Sequence, residues 1–309
     1  MTTGLYKKGM ILVIIGLFIA ASILPSISGG YVQEDMGYLR LHQCLNKGIL
    51  GGNIELTYDA DDIPSTIRPE SDIVRVDLYI NYFASGLYSR FLVPFLQHRT
   101  VPIELSVADT PDWCTLSISP GVVYPHPDFY KAETPEHAIL SISVTPNAPA
   151  FQTYSIIVKA KASSVKGPFR IINIIGNAEN QIPIEIKPGY YSNFQYEYQT
   201  YAEMLPDEVK NIPINITSYS NARARLIFEI IDPPEDWYAR IEPDMFIGTA
   251  VLGDDPTGIA TLIIRSPSGG DYLDEVEQFT VRVSTMAAGH PEAGIDNTTL
   301  LQFTVRCRG

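Results

Sequence analysis

The amino-acid sequence predicts an all-β chain of two tandem sandwiches behind an N-terminal signal segment. Three observations carry that expectation. The stretch Asp109-Thr-Pro-Asp-Trp113 returns in lengthened form as Asp232-Pro-Pro-Glu-Asp-Trp237, and these tryptophans, the only two in the chain, stand 124 positions apart. Each half carries roughly seven short runs of alternating apolar and polar residues, separated by turn-forming stretches. The 23 Pro and 22 Gly are spread rather than clustered, as many short strands joined by turns require. No stretch beyond the amino terminus sustains the 3.6-residue period of a helix. At 309 residues, 45% hydrophobic and 18% charged, the chain is long enough to bury two ordinary cores.

The amino terminus reads as an export signal. Lys7-Lys8 precedes the apolar run Met10–Leu24, Pro25 ends it, and Ser26 and Ser28 supply the small residues of a cleavage site before Gly29. Residues 1–28 are therefore expected to be a signal peptide and 29–50 a lead-in segment. The run is shorter than the roughly 20 residues of a comfortable spanning helix. An uncleaved anchor is one rival reading. Another is a prepilin-type cut at Lys8-Gly9-Met10, which would leave the run as the helix of a pilus-type filament subunit.

The first sandwich is expected over 51–189. Its strands read as Asn53–Tyr58, Ile73–Ile80, Val101–Val107, Thr115–Ser119, Leu140–Val144, Tyr154–Ala160 and Ile182–Ile186, with the first Trp corner after the third. The second, over 190–309, repeats the order with Phe194–Tyr198, Ile212–Thr217, Ala224–Ile230, Tyr238–Ile241, Thr261–Ile264, Phe279–Val283 and Leu301–Val305. Trp113 and Trp237 are each expected to plug one end of a core. Pro102, Pro183 and Pro213 lack the amide hydrogen that an inner strand donates, so they are expected on edges.

The halves differ before the corner. The first carries an insertion over 86–98, Gly-Leu-Tyr-Ser-Arg-Phe-Leu-Val-Pro-Phe-Leu-Gln-His, where the second turns through Ser218-Tyr-Ser-Asn-Ala222. Leu87, Tyr88, Phe91, Leu92, Phe95 and Leu96 either pack as a satellite core or present anchors to a partner.

Reaction chemistry is not signalled. The chain has no GxSxG, HExxH, GxxxxGK[ST] or GxGxxG motif. Its five His are scattered, so no catalytic residue, cofactor or metal is expected. Asp59-Ala-Asp-Asp62 and Asp254-Asp255 could enter oxygen-rich calcium loops but match no EF-hand, and solvated turns are the favoured reading. A net charge of −13 opposes nucleic acid as a partner. Of the three cysteines, Cys44 and Cys114 are the favoured pair in an exported chain, with Cys307 left over. The sequons Asn215-Ile-Thr217 and Asn297-Thr-Thr299 make Asn215 and Asn297 expected glycan acceptors. Asn297 is the better placed, in a turn before the last strand.

The segments Asp109-Thr-Pro-Asp-Trp-Cys-Thr-Leu-Ser-Ile-Ser-Pro-Gly-Val-Val123, Asn147-Ala-Pro-Ala-Phe151 and Asp232-Pro-Pro-Glu-Asp-Trp237 resemble archaeal secreted proteins built from tandem immunoglobulin-like modules. Those modules are related to adhesion-type (CARDB-like) and α-galactosidase-associated domains. The resemblance implies an immunoglobulin-like fold in each half, a place at the cell surface and no enzymatic residues. Such proteins often end in a PGF-type sorting tail, which would begin near Arg308-Gly309. The expected function is that of a non-enzymatic envelope or adhesion module whose partner is an envelope protein, a glycan or a membrane surface. An accessory carbohydrate-binding module is the alternative, with Tyr190 and Tyr191 as exposed aromatics.

Overall fold

In strand β2 (Val74–Ser85), Val76, Leu78 and Ile80 are fully buried while Arg75, Asp77 and Tyr79 between them are not, the period of two that a half-buried strand imposes. The same alternation recurs through the computed structural model, which describes residues 51–71, 73–85, 100–128, 135–166, 173–175, 177–268 and 274–309. The signal segment, the lead-in and the insertion at 86–98 lie outside the described residues. Among the described residues there is no α-helix, only three single 3-10 turns.

The first sandwich contains β1 (Gly51–Tyr58), β2, β3 (Ile103–Ala108), β4 (Cys114–Ser119), β5 (Val122–Val123), β6 (Glu136–Val144), β7 (Tyr154–Ala162) and β10 (Ala178–Ile186). A two-stranded ribbon, β8 (Val165–Lys166) with β9 (Asn173–Ile175), stands between β7 and β10. One sheet runs β1-β2-β6-β4 and the other β10-β7-β3-β5. Their inner faces enclose a core that includes Ile54, Leu78, Ile103, Leu140 and Ile156. Gly52 has no room for a side chain, because a Cβ there would run into the hydroxyl of the buried Tyr82.

The second sandwich contains β11 (Phe194–Tyr198), β12 (Tyr201–Met204), β13 (Val209–Ser218), β14 (Ala224–Ile231), β15 (Tyr238–Glu242), β16 (Met245–Ile247), β17 (Thr257–Arg265), β18 (Asp274–Ala287) and β19 (Ile295–Arg308). Its sheets run β11-β13-β17-β15 and β12-β19-β18-β14-β16. β12 pairs parallel to β19, and every other ladder in this half is antiparallel. The second core is separate and includes Ile214, Leu262, Phe279, Val283 and Phe303.

Both halves share one wiring. The first, second, fifth and fourth principal strands form one sheet, and the third, sixth and seventh lie in the other, which is the immunoglobulin-type arrangement. The Trp corners repeat at the level of the backbone. Asp109 and Asp232 open them with positive φ of 57° and 45°, a conformation that Asp tolerates better than most residues. A reverse turn follows in each, Cys114 N donating to Pro111 O at 2.9 Å and Trp237 N to Pro234 O at 3.3 Å.

Two placements correct the sequence reading. Pro213 lies on β13, an inner strand, not on an edge. It is tolerated because the β11 register ends opposite Ile214, so Pro213 has a strand on one flank only. Asn297 lies on β19 opposite Thr285 rather than in a turn, because the β18–β19 hairpin extends beyond the expected strand. Pro183 does stand on an edge strand, β10, and is exposed. The five strands that periodicity misses, β5, β8, β9, β12 and β16, have two to four residues each, too few to display a period.

Candidate functional site

A polar network lies where the two sandwiches meet. It is built on the turn between β13 and β14. Asn221 is fully buried there. Its Nδ2 donates to Ala148 O of the first sandwich and to Gly189 O of the linker, each at 2.9 Å, while its Oδ1 accepts from Tyr191 N at 2.8 Å. Its backbone joins in, Asn221 N donating to Tyr191 O and Ala150 N donating to Asn221 O, both at 3.2 Å. One side chain therefore ties together a loop of the first sandwich, the linker and the second sandwich. A carboxamide suits the task because it carries two donors and an acceptor in one plane.

Behind Asn221 the buried hydroxyls of Ser218 and Ser220 lie 2.5 Å apart, and Thr249 Oγ1 donates to Ser220 O. In front, the linker is clamped from the first sandwich. Ile67 N donates to Lys187 O at 2.8 Å, Gly189 N to Ile67 O at 2.7 Å and Phe151 N to Pro188 O at 2.9 Å. Phe151, at a positive φ of 63°, turns its ring onto His290 of the second sandwich, with centroids 3.9 Å apart. Lys187 Nζ stands 6.0 Å above the same ring.

Charged groups close the rim. Arg68 of the first sandwich meets Asp296 of the second at 3.0 Å, and Asp296 also accepts from Ser192 N at 3.0 Å and from Ser192 Oγ at 2.5 Å. Tyr191 Oη donates to Glu70 at 2.7 Å, a bond that pushes the phenol's pKa up. Tyr190 is buried in the second core, and burial pushes its hydroxyl up strongly. Neither tyrosine is the free platform that the sequence suggested, because the linker that carries them is folded into the junction.

Other expected residues stand apart from this centre. Trp237 is 8% exposed and meets Phe279 edge-on at 5.6 Å. Trp113 is half-buried against the first core and meets Tyr154 edge-on at 4.7 Å. Leu87, Tyr88, Phe91, Leu92, Phe95 and Leu96 lie outside the described residues. Asn215 and Asn297 are both exposed, and Asn297 Oδ1 accepts from Thr298 N at 2.8 Å. Cys114 and Cys307 are buried free thiols, and burial raises Cys114 to about 11. Cys44, the partner favoured for Cys114, lies outside the described residues.

The acidic turns are internally engaged. Asp59 Oδ1 accepts from Asp61 N at 3.0 Å, and Asp62 Oδ2 from Asp77 N at 2.9 Å. Asp254 is gripped by Arg223 through two bonds of 2.7 and 2.9 Å, which hold its carboxyl below the ordinary range. Asp255 is held low by Thr257, whose hydroxyl and N–H bond it at 2.7 and 2.9 Å. Among the described residues no three His, Cys, Asp or Glu side chains converge as metal ligands. Arg223, Asp254 and Asp255 do line an open cleft of about 480 Å³ with Phe246, Ile247, Gly248 and Ala288, and Phe246 beside it is 72% exposed.

Sequence reasoning missed Asn221, Arg68, Asp296 and Phe151 as a group. Asn147–Phe151 carried a signal as part of the family resemblance, and Ser218–Ala222 as the short counterpart of the insertion. Nothing in either stretch says that they touch.

No family model matches the chain, and no curated protein matches it. Solved structures do. One, a protein of unknown function from Porphyromonas gingivalis W83, is 14% identical over 83% of this chain and 99% of that one, at a TM-score of 0.29. The I-band fragment I67–I69 of titin is 9% identical over 82% and 65%, at 0.34. Domains 4 and 5 of the S-layer protein SbsC are 10% identical over 82% and 98%, at 0.24. At such scores the likenesses add no argument of their own, and the fold rests on the strand order. That order makes the chain a tandem of two immunoglobulin-like sandwiches.

Proposed function

We propose that this protein is an exported, non-enzymatic module of the cell envelope, structural or adhesive, in which two immunoglobulin-like sandwiches act as one stiff unit. The observation that carries the reading is the buried Asn221 hub. Sandwiches in one chain usually meet through modest polar contacts and move relative to each other. Here a fully buried carboxamide, a ring stack and an ion pair fix the joint. Stiffness of that kind suits a spacer or a presenting arm. Export is supported by the N-terminal Lys7-Lys8, apolar and Ser26–Ser28 pattern. The Trp-corner segments support kinship with the archaeal tandem-module proteins that they resemble.

Partner contact is assigned to the apolar stretch 87–96. It joins β2 to β3, and the corresponding connection in the second sandwich, β13 to β14, is the one that carries Asn221. In this chain the equivalent connection is thus already used for docking a neighbour. Deleting 87–96 should leave the circular dichroism and denaturation midpoint unchanged while abolishing capture of an envelope protein, glycan or vesicle from native envelopes. Loss of folding would make the stretch part of the core, and unchanged capture would place the contact elsewhere.

A second reading, an accessory carbohydrate-binding module, is favoured by the cleft at Phe246. An exposed ring beside a pre-ordered Arg223–Asp254 pair offers a pyranose both a stacking face and hydrogen-bonding groups. Titration of oligosaccharides by calorimetry should show binding that Phe246→Ala removes. No heat with the unaltered protein, or equal heats from both proteins, excludes this reading.

A further inference from the structure

The solvent face of the β11-β13-β17-β15 sheet leaves three large apolar side chains bare, Val209 and Tyr238 at the Arg265 end and Ile259 toward the other. Ile259 on β17 is 61% exposed; it pairs with β13 and lies beyond the end of the β15 ladder, which stops at Thr261. Its cross-strand partner on β13 is Asn215, whose own partner on β11 is Glu197. The next pair along this face in one direction is Thr217 with Thr257, and in the other Pro213 with Thr261. An isoleucine left bare among such residues leaves apolar surface in water at about 25 cal/mol per Å². Its Cβ lies about 5 Å from that of the residue directly opposite.

Asn215 is also the acceptor position of Asn215-Ile-Thr217. The strand alternates exposed Asn211, Pro213 and Asn215 with buried Ile212, Ile214 and Ile216, so the Asn215 carboxamide points away from the core. No hydrogen bond to another side chain holds it among the bonds of the described residues, whereas Asn221 is spent entirely on the junction.

We propose that Asn215 carries an N-linked glycan whose first sugar lies over Ile259. The bond formed joins Asn215 Nδ2 to the anomeric carbon of an oligosaccharide carried on a lipid pyrophosphate. The bond broken is that between this carbon and the pyrophosphate oxygen. Lipid pyrophosphate leaves, and the amide nitrogen gives up one proton. Transfer takes place on the emerging chain, before β13 is paired on both flanks. Once the sandwich closes, the register sets the sugar's apolar face on the isoleucine, and the sheet surface that Ile259 exposes is withdrawn from water. The assignment rests on the exported reading for its biological setting, but its test does not depend on the chain's own signal.

The full chain, placed behind the secretion signal of a eukaryotic host that modifies N-x-[ST] sites, is collected from the medium beside Asn215→Gln and Asn215→Gln/Ile259→Ser. Intact-mass and peptide analysis should find one glycan on Asn215 that both variants lack. The Asn215→Gln protein should bind more of a fluorescent apolar dye than the glycosylated chain, and the added Ile259→Ser should remove that excess. An unmodified Asn215 peptide overturns the acceptor assignment. Glycan on Asn215 with dye binding unaffected by Ile259→Ser overturns the covering of Ile259. Failure of the native signal to export the chain from its own cells would count against the exported reading alone.

Discussion

Asn221→Ala should lower the denaturation midpoint more than any other single change at the junction and should loosen the two sandwiches from each other. Alanine would leave Ala148 O, Gly189 O and Tyr191 N without the side-chain partner that each now has. Burying a polar group unpaired costs about 1–3 kcal/mol. Three such groups at a site from which water is excluded amount to roughly 3–5 kcal/mol once partial relaxation is allowed. Asn221→Asp should be no milder. It keeps the acceptor for Tyr191 N but turns a second oxygen toward two carbonyl oxygens where donors stood. Urea unfolding measures the loss. Small-angle scattering measures the joint, and the variant's curve should require a spread of inter-sandwich angles where the unaltered chain fits one. An unchanged midpoint and an unchanged curve would remove the hub from the account of stiffness.

Trp237→Ala should cost about 3–5 kcal/mol, the range for removing a large aromatic from a core. Trp113→Ala should cost distinctly less. The two tryptophans hold equivalent corners, but Trp237 is buried against Phe279 while Trp113 remains half-exposed beside Tyr154. Some of the Trp113 contribution also survives truncation, because its backbone carbonyl accepts from Thr145 N at 2.9 Å and from Thr145 Oγ1 at 3.0 Å. Denaturant midpoints of the two variants give the comparison directly. Equal losses, or a larger loss at Trp113, would show that the corners do not act through burial of the indole.

The two changes are expected to act at different places. Each sandwich has its own hydrophobic cluster, so Trp237→Ala should unfold the second half first, while Asn221→Ala weakens the contact between halves with both cores intact. A calorimetric trace that splits into two transitions for Asn221→Ala, from one coupled transition in the unaltered chain, would be the signature.

The strands themselves were legible because a strand with one buried face must alternate, and β6, β7, β13, β17 and β18 do so over most of their nine or more residues. The duplication was legible because both corners reuse Asp, Pro and Trp in one order, and each Asp does hold a positive φ. Local chemistry was enough for both.

Partnership across the chain was not. Asn221 in Ser-Tyr-Ser-Asn-Ala is an ordinary turn residue by composition, and Tyr190-Tyr191 looks like an exposed aromatic pair. Their roles depend on residues 73 and 32 positions from Asn221, and 121 from Tyr191, being brought within hydrogen-bonding distance. Periodicity carries no information at such separations. The sequence alone thus determined two β-sandwiches with duplicated Trp corners, because pleat and turn chemistry act between near neighbours. Only the tertiary structure decided that the halves are locked at Asn221 and that Ile259 lies opposite Asn215, because strand register and domain docking are set by which distant surfaces fit together.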